Sequence, residues 1–294
     1  MNVEERVLGC LWAGAVGDGY ASFAEFVEQP PPSGPDWRST DDTALTLGTC
    51  RAIRGAGAVV PEAIAAEFLR LYRRKALVGL GASTLEALRG LDVGGHWALV
   101  GRTGEMAAGN GAAMRVAPLG FVLDVRCERD RRLVSDVVRI THRNQEALAS
   151  AMAILWALSA VVFEGIGGDG LLEHVAGRLH DSQTRDNLLQ MAPLEGREAW
   201  FECARALGMS SFAATSVPLA LFAALRMLDE GLEPVLRDIV EAGGDTDTVA
   251  SMASQVAGAA LGLDFVPLGM RSALYGSDEI GHEVSLFAKY VARS

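Results

Sequence analysis

The sequence predicts an all-α fold. Apolar residues recur at helical spacing along most of the 294-residue chain. Strand-type alternation is scarce. Half of the residues are hydrophobic and only 21% are charged, which is the composition of a packed globular chain. The length suits one large domain or two modest ones. Two clusters of oxygen ligands near opposite ends must meet if they share a site. One domain over residues 1–294 is therefore the reading; two helical lobes with the site between them is the alternative.

The elements follow in order. Residues 9–26 are small-residue and apolar and read as a helix around Asp18, with Glu25 seven residues on, two helical turns if the helix persists. Residues 29–35 hold three consecutive prolines, which cannot continue a helix. Pro61 suits a first helical position, and Ile64, Phe68, Leu71 and Tyr72 then share one face over 62–75. Residues 79–111 are Gly-rich and read as irregular. Leu133, Val134, Val137 and Val138 predict a helix over 131–140. The apolar run 147–163 lies at the lower edge of membrane-span length, about 17–25 residues. It is Ala-rich, acid-flanked and without a basic collar, so it reads as a buried central helix. Further helices are predicted over 197–207, 217–229, 234–241 and 282–292. Residues 249–261 are rich in Ala, Ser, Gly and Met, which permits close helix–helix approach.

Charge and cysteines narrow the function. A net charge of −11 argues against a nucleic-acid surface. Cys10, Cys50, Cys127 and Cys203 are scattered without a C-x-x-C pair. That pattern argues against a disulfide framework or a zinc knuckle. The N-terminus is acidic where a signal peptide would be basic. A cytoplasmic protein with no membrane partner is expected.

Five strings carry potential chemistry. Ser39-Thr40-Asp41-Asp42-Thr43 and Gly243-Gly244-Asp245-Thr246-Asp247-Thr248 each place acids and hydroxyls just ahead of an apolar helix. One acid and one hydroxyl there would be an ordinary N-cap. Two acids in each string exceed that. Four carboxylates gathered together repel, and divalent cations would relieve the repulsion. Oxygen ligands favour Mg²⁺ or Mn²⁺ over zinc. Asp18 with Glu25 is the third string. The fourth is Gly109-Asn110-Gly111-Ala112-Ala113-Met114-Arg115. Its glycines would let backbone N–H groups approach a phosphate or ribose, or would simply make a turn. Thr141-His142 is the fifth.

In this order, the five strings resemble the ADP-ribosylglycohydrolase family over residues 9–262. The resemblance implies an orthogonal all-α fold with two divalent cations, Mg²⁺ or Mn²⁺. Thr40, Asp41 and Asp42 would bind them from one side, and Asp245, Asp247 and Thr248 from the other. Glu25 matches the family's acidic residue at the reaction centre. Asp18, Asn110, Gly111, Met114 and His142 match substrate-pocket positions. The implied partner is an ADP-ribosylated protein or a small ADP-ribosyl substrate, cleaved at the glycosidic bond. A non-catalytic ADP-ribose-binding member is the rival, and a phosphate-ester hydrolase is a more distant one. The family's usual Leu-Gly and Pro before the glutamate are absent; Tyr20, Ala21 and Phe23 stand there.

Overall fold

The computed structural model describes residues 1–24, 36–168 and 170–293. These form fourteen α-helices. They are α1 (Val3–Ala21), α2 (Asp41–Ala56), α3 (Pro61–Arg73), α4 (Ala82–Asp92), α5 (Glu128–Val138), α6 (Gln145–Ser159) and α7 (Leu171–Ala176). The second half adds α8 (Gln183–Met191), α9 (Gly196–Leu207), α10 (Ala213–Glu230), α11 (Leu232–Ala242), α12 (Thr246–Leu261), α13 (Leu268–Ala273) and α14 (Ser277–Val291). The strands among the described residues are β1 (Arg102–Thr103) and β2 (His142–Arg143), paired in parallel with Arg102 opposite His142. One contiguous apolar cluster runs from Val7 on α1 to Val291 on α14.

The pairing that positions the site is α1 against α12. A Cβ on Gly9 would lie 2.2 Å from the Gly258 carbonyl oxygen, and one on Gly17 would lie 2.5 Å from that of Ala250. The numbering rises on one helix as it falls on the other, so the two run antiparallel. The C-terminal end of α1 thus lies beside the N-terminal end of α12. The Thr246 hydroxyl closes that end by donating to the Ala21 carbonyl at 2.9 Å. Small residues on both helices make this approach possible, as the composition of 249–261 suggested.

Helix α6 fills the centre. Asn144 caps it, accepting from the Glu146 and Ala147 amides. A π-helical turn, Ala160–Glu164, extends it. By length and composition Gln145–Glu164 could cross a membrane, but it packs inside the molecule with 67% of its most apolar window buried. Pro218 sits inside α10 and supplies no N–H, which leaves the Ala214 carbonyl without its helical donor. The Asn187 side chain donates to that carbonyl at 2.8 Å. The helix therefore starts at Ala213 and survives its proline.

Three expectations change. Residues 79–111 contain α4, so the Gly-rich stretch is less irregular than its composition suggested. Helices α7, α8 and α13 were not predicted; each is nine residues or shorter. Helix α12 begins at Thr246, so Asp247 and Thr248 sit in its first turn rather than ahead of it.

Candidate active site

Asp18 organises the first side of the site. It is fully buried on α1. Its two carboxylate oxygens accept from the Thr40 amide, each at 3.0 Å. The Thr40 hydroxyl donates to Oδ1 at 2.9 Å, and the Thr43 amide donates to Oδ2 at 3.0 Å. The Thr43 hydroxyl adds a further short bond. Asp18 thus clamps the entry to α2. It is not among the residues that line the cavity described below. Burial pushes its pKa up to about 6, even though all of these bonds favour the charged form.

Thr40 is the N-cap of α2, its side chain accepting from the Asp42 amide. Asp41 and Asp42 follow in the first turn, where the helix dipole favours negative charge. The Asp41 amide donates to the Val78 carbonyl at 2.8 Å, tying the loop before α4 to this turn.

The second side arrives with α12. Gly243 and Gly244 adopt φ of 70° and 84°. A Cβ on Gly244 would stand 2.0 Å from the Met209 carbonyl oxygen, so only glycine fits. The Asp245 amide then donates to that same carbonyl at 3.0 Å. The Thr248 amide donates to Asp247 Oδ1 at 2.8 Å. The Thr248 hydroxyl donates to Asp42 Oδ2 at 3.2 Å and joins the two sides.

Asp42 lies at the centre and is 1% exposed. Its Oδ1 is buried with no hydrogen-bond partner among the described residues. Burial raises its pKa well above the usual carboxylate range, and Asp247, Asp18, Asp41 and Asp245 push it further. Burial also raises Asp245, although Asn110, Thr248 and Asp247 hydrogen-bond to it. Among the described residues, no three His, Cys, Asp or Glu side chains form a ready-made metal cage. The available donors are mixed, carboxylates with threonine hydroxyls. An orphaned carboxylate oxygen amid like charges is the environment a hard divalent cation suits.

A cavity of about 540 Å³ opens over this cluster. Asp41, Asp42, Asp245, Asp247, Thr248, Asn110, Gly111, Met114 and His142 all line it. Thr40 does not; it sits behind Asp42. Arg102 is the cationic side chain in this lining. A larger groove of about 1040 Å³ lies elsewhere, but its acids have basic neighbours, such as Arg126 at 2.8 Å from Asp124. Concentrated like charge makes the smaller cavity the candidate reactive one.

Asn110 has a bracing role. Its amide nitrogen donates to Asp245 Oδ2 at 2.6 Å and to the Ser216 hydroxyl at 3.0 Å. Gly109 and Gly111 lie close against a neighbour. A Cβ on Gly109 would lie 3.2 Å from His142 Nε2, and one on Gly111 would lie 3.1 Å from His142 Cε1 and from Thr84 Oγ1. These glycines make room for the imidazole. His142 Nδ1 lies 2.7 Å from Thr141 Oγ1, which also accepts from Arg115 Nη2 at 2.7 Å. Burial, with Arg115 and Arg102 nearby, lowers the His142 pKa to about 3. Glu25 lies outside the described residues.

Sequence reasoning missed Thr43, Arg102, Ser83, Thr84, Ser210 and Ser211. Ser211 accepts from the Asn110 amide through its carbonyl at 3.0 Å, a contact that no local pattern reveals. Thr43 stood inside a string already singled out, and its spacing from Thr40 fits a pair of donors to one acid.

The family model for ADP-ribosylglycohydrolase matches residues 1–293. Human ADP-ribosylhydrolase ARH3 is 26% identical, with 93% of this chain and 90% of the relative covered. The ADP-ribosyl-[dinitrogen reductase] glycohydrolase of Rhodospirillum rubrum is 27% identical, covering 93% and 91%. A solved ADP-ribosylglycohydrolase-related protein complex superposes with a TM-score of 0.76 at 26% identity, over 98% of this chain and 99% of that one. The helices, the order of the strings and these relatives agree: the chain belongs to the ADP-ribosylglycohydrolase family.

Proposed function

We propose that this protein is a metal-dependent hydrolase that cleaves the glycosidic bond between ADP-ribose and an acceptor. The observation that carries it is Asp42 Oδ1, buried and unpartnered among the described residues, amid four other carboxylates beneath an open cavity. Asp41, Asp42, Asp245, Asp247, Thr40 and Thr248 are assigned to hold two Mg²⁺ or Mn²⁺ ions. Bound there, the ions would supply Lewis acidity and neutralise the carboxylates.

The chain's own residues do the rest. Asp18 fixes Thr40 and the start of α2, so Asp41 and Asp42 present their oxygens from a rigid turn. Asn110 holds Asp245. His142 and Gly111 line the cavity where the ADP-ribose would lie. Glu25 is assigned proton transfer by its match to the family string, a role worth roughly 10²–10⁴-fold. In the reaction, the bond from the anomeric carbon to the acceptor nitrogen or oxygen breaks. Water oxygen bonds to that carbon, its proton passes to Glu25 and on to the acceptor, and the acceptor leaves protonated. The cation at the anomeric centre is oxocarbenium-like, as in other glycoside hydrolyses.

The test is incubation with ADP-ribosyl-arginine and ADP-ribosyl-serine peptides, with Mg²⁺, with Mn²⁺ and with EDTA. Release of free ADP-ribose that requires metal is the expected result. Tight ADP-ribose binding without any release would favour a non-catalytic member, and inorganic phosphate as product would reject the glycosidase chemistry.

A further inference from the structure

Resting on that reading of the cavity, we propose that Thr141 and Arg115 are positioning residues. Together they hold His142 as the neutral Nε2–H tautomer, which donates from the cavity wall to an oxygen of the ADP-ribose moiety.

The argument is one of counting hydrogens. Arg115 is 1% exposed, with its guanidinium over the Phe68 ring at 4.7 Å. Arginine only donates. Its Nε goes to the Gly111 carbonyl at 3.0 Å and its Nη2 to Thr141 Oγ1 at 2.7 Å. The fully buried Thr141 hydroxyl therefore already serves as an acceptor. Its single hydrogen needs an acceptor of its own, and among the described residues the one within hydrogen-bond distance is His142 Nδ1, at 2.7 Å. A ring protonated at Nδ1 would leave the Thr141 hydrogen buried and unpaired, at the full desolvation cost of that group. Nδ1 is thus the acceptor, and the proton sits on Nε2.

The backbone holds the ring in place. The Arg102 amide donates to the Thr141 carbonyl at 3.0 Å, and β1 pairs with β2 at His142. A Cβ at Gly101 would stand 2.1 Å from the Arg139 carbonyl oxygen, so the strands meet only because residue 101 is glycine. Gly109 and Gly111 leave the ring its space. The same arginine braces the Gly-Asn-Gly turn through Gly111 and sets the tautomer through Thr141. One buried cation therefore couples two walls of the cavity.

The experiment is nitrogen-15 NMR of histidine-labelled full-length protein, with kinetics on the ADP-ribosyl peptide. Wild type should show one pyrrole-type nitrogen, Nε2, and one pyridine-type nitrogen, Nδ1, for His142. Thr141→Val should mix the tautomers and raise KM roughly tenfold, the scale of one lost hydrogen bond, with kcat much less affected. Thr141→Ser should restore both readouts. An Nδ1–H ring in wild type overturns the proposal, as does a T141V protein that keeps both the spectrum and KM. Should T141V fail to fold, the wild-type spectrum still decides. If no peptide is turned over, calorimetry with free ADP-ribose replaces the kinetics. Weaker binding by T141V with the expected spectrum would then reject the hydrolase reading and leave this one standing.

Discussion

At the scale of single residues, the acids near the cavity divide by what surrounds them. Asp18 is saturated with donors from Thr40 and Thr43, whereas Asp42 keeps one buried oxygen without any. The first is therefore built to stay in place and the second to receive something. Asp18→Asn puts an amide where backbone and hydroxyl donors point. We expect a loss of about 1–3 kcal/mol, read by urea denaturation with far-UV circular dichroism. Asp42→Asn removes a charge from a crowded set instead. Without metal, this variant should melt no lower than wild type at about pH 8, yet it should lose any rise in Tm on adding Mg²⁺ or Mn²⁺. A metal-free D42N protein that melts far lower would mean Asp42 is structural.

At the scale of elements, the contact of α1 with α12 does most to bring the strings together. Gly9→Ala places a methyl against the Gly258 carbonyl at a distance no Cβ tolerates. Overpacking of this kind typically destabilises by about 1–3 kcal/mol. Turnover should fall with it, because parting the helices at Gly9 loosens the seam whose far end carries Asp18 and Thr246. Gly55→Ala has open space around the new methyl and is the control. A smaller prediction concerns α10: Asn187→Ala leaves the Ala214 carbonyl unserved and should cost about 1 kcal/mol, measured in the same denaturation assay. Much of this was legible in advance. Capping chemistry marked the start of α2, and Ala, Gly and Ser in 249–261 marked a close partner. Helix α4 was hidden by flanking glycines, and α7 and α13 are too short for periodicity to register. The role of Asp18 depends on Thr40 and Thr43 from another element, and the glycines beside Asn110 answer to an imidazole far along the chain. Neither relation leaves a local signal.

At the scale of the whole molecule, carboxylate burial links stability to pH. Asp18 titrates near 6 when folded, against 3.8 as its ordinary value. A raised folded value means that its contribution is full below 3.8 and lost as pH rises through about 6. Asp42 and Asp245 have the same sign. His142 opposes them: at about 3 when folded, against 6.5, it favours the folded state more as pH rises between those values. Cations that bind ionised carboxylates compete with protons. The gain in Tm from Mg²⁺ or Mn²⁺ should therefore grow from about pH 5 to about pH 8, as differential scanning fluorimetry would record. A gain that shrinks over that range would contradict carboxylate ligation.

The antiparallel seam between α1 and α12 also has a consequence in time. Its partners are drawn from the first twenty-odd residues of the chain and from a segment near residue 250. Contacts of such long sequence separation form late and slowly. A chain emerging from the ribosome carries Asp18, Asp41 and Asp42 long before α12 exists. Until then, the first acidic cluster has no second side. The order of synthesis thus withholds the assembled pocket until α12 has been made.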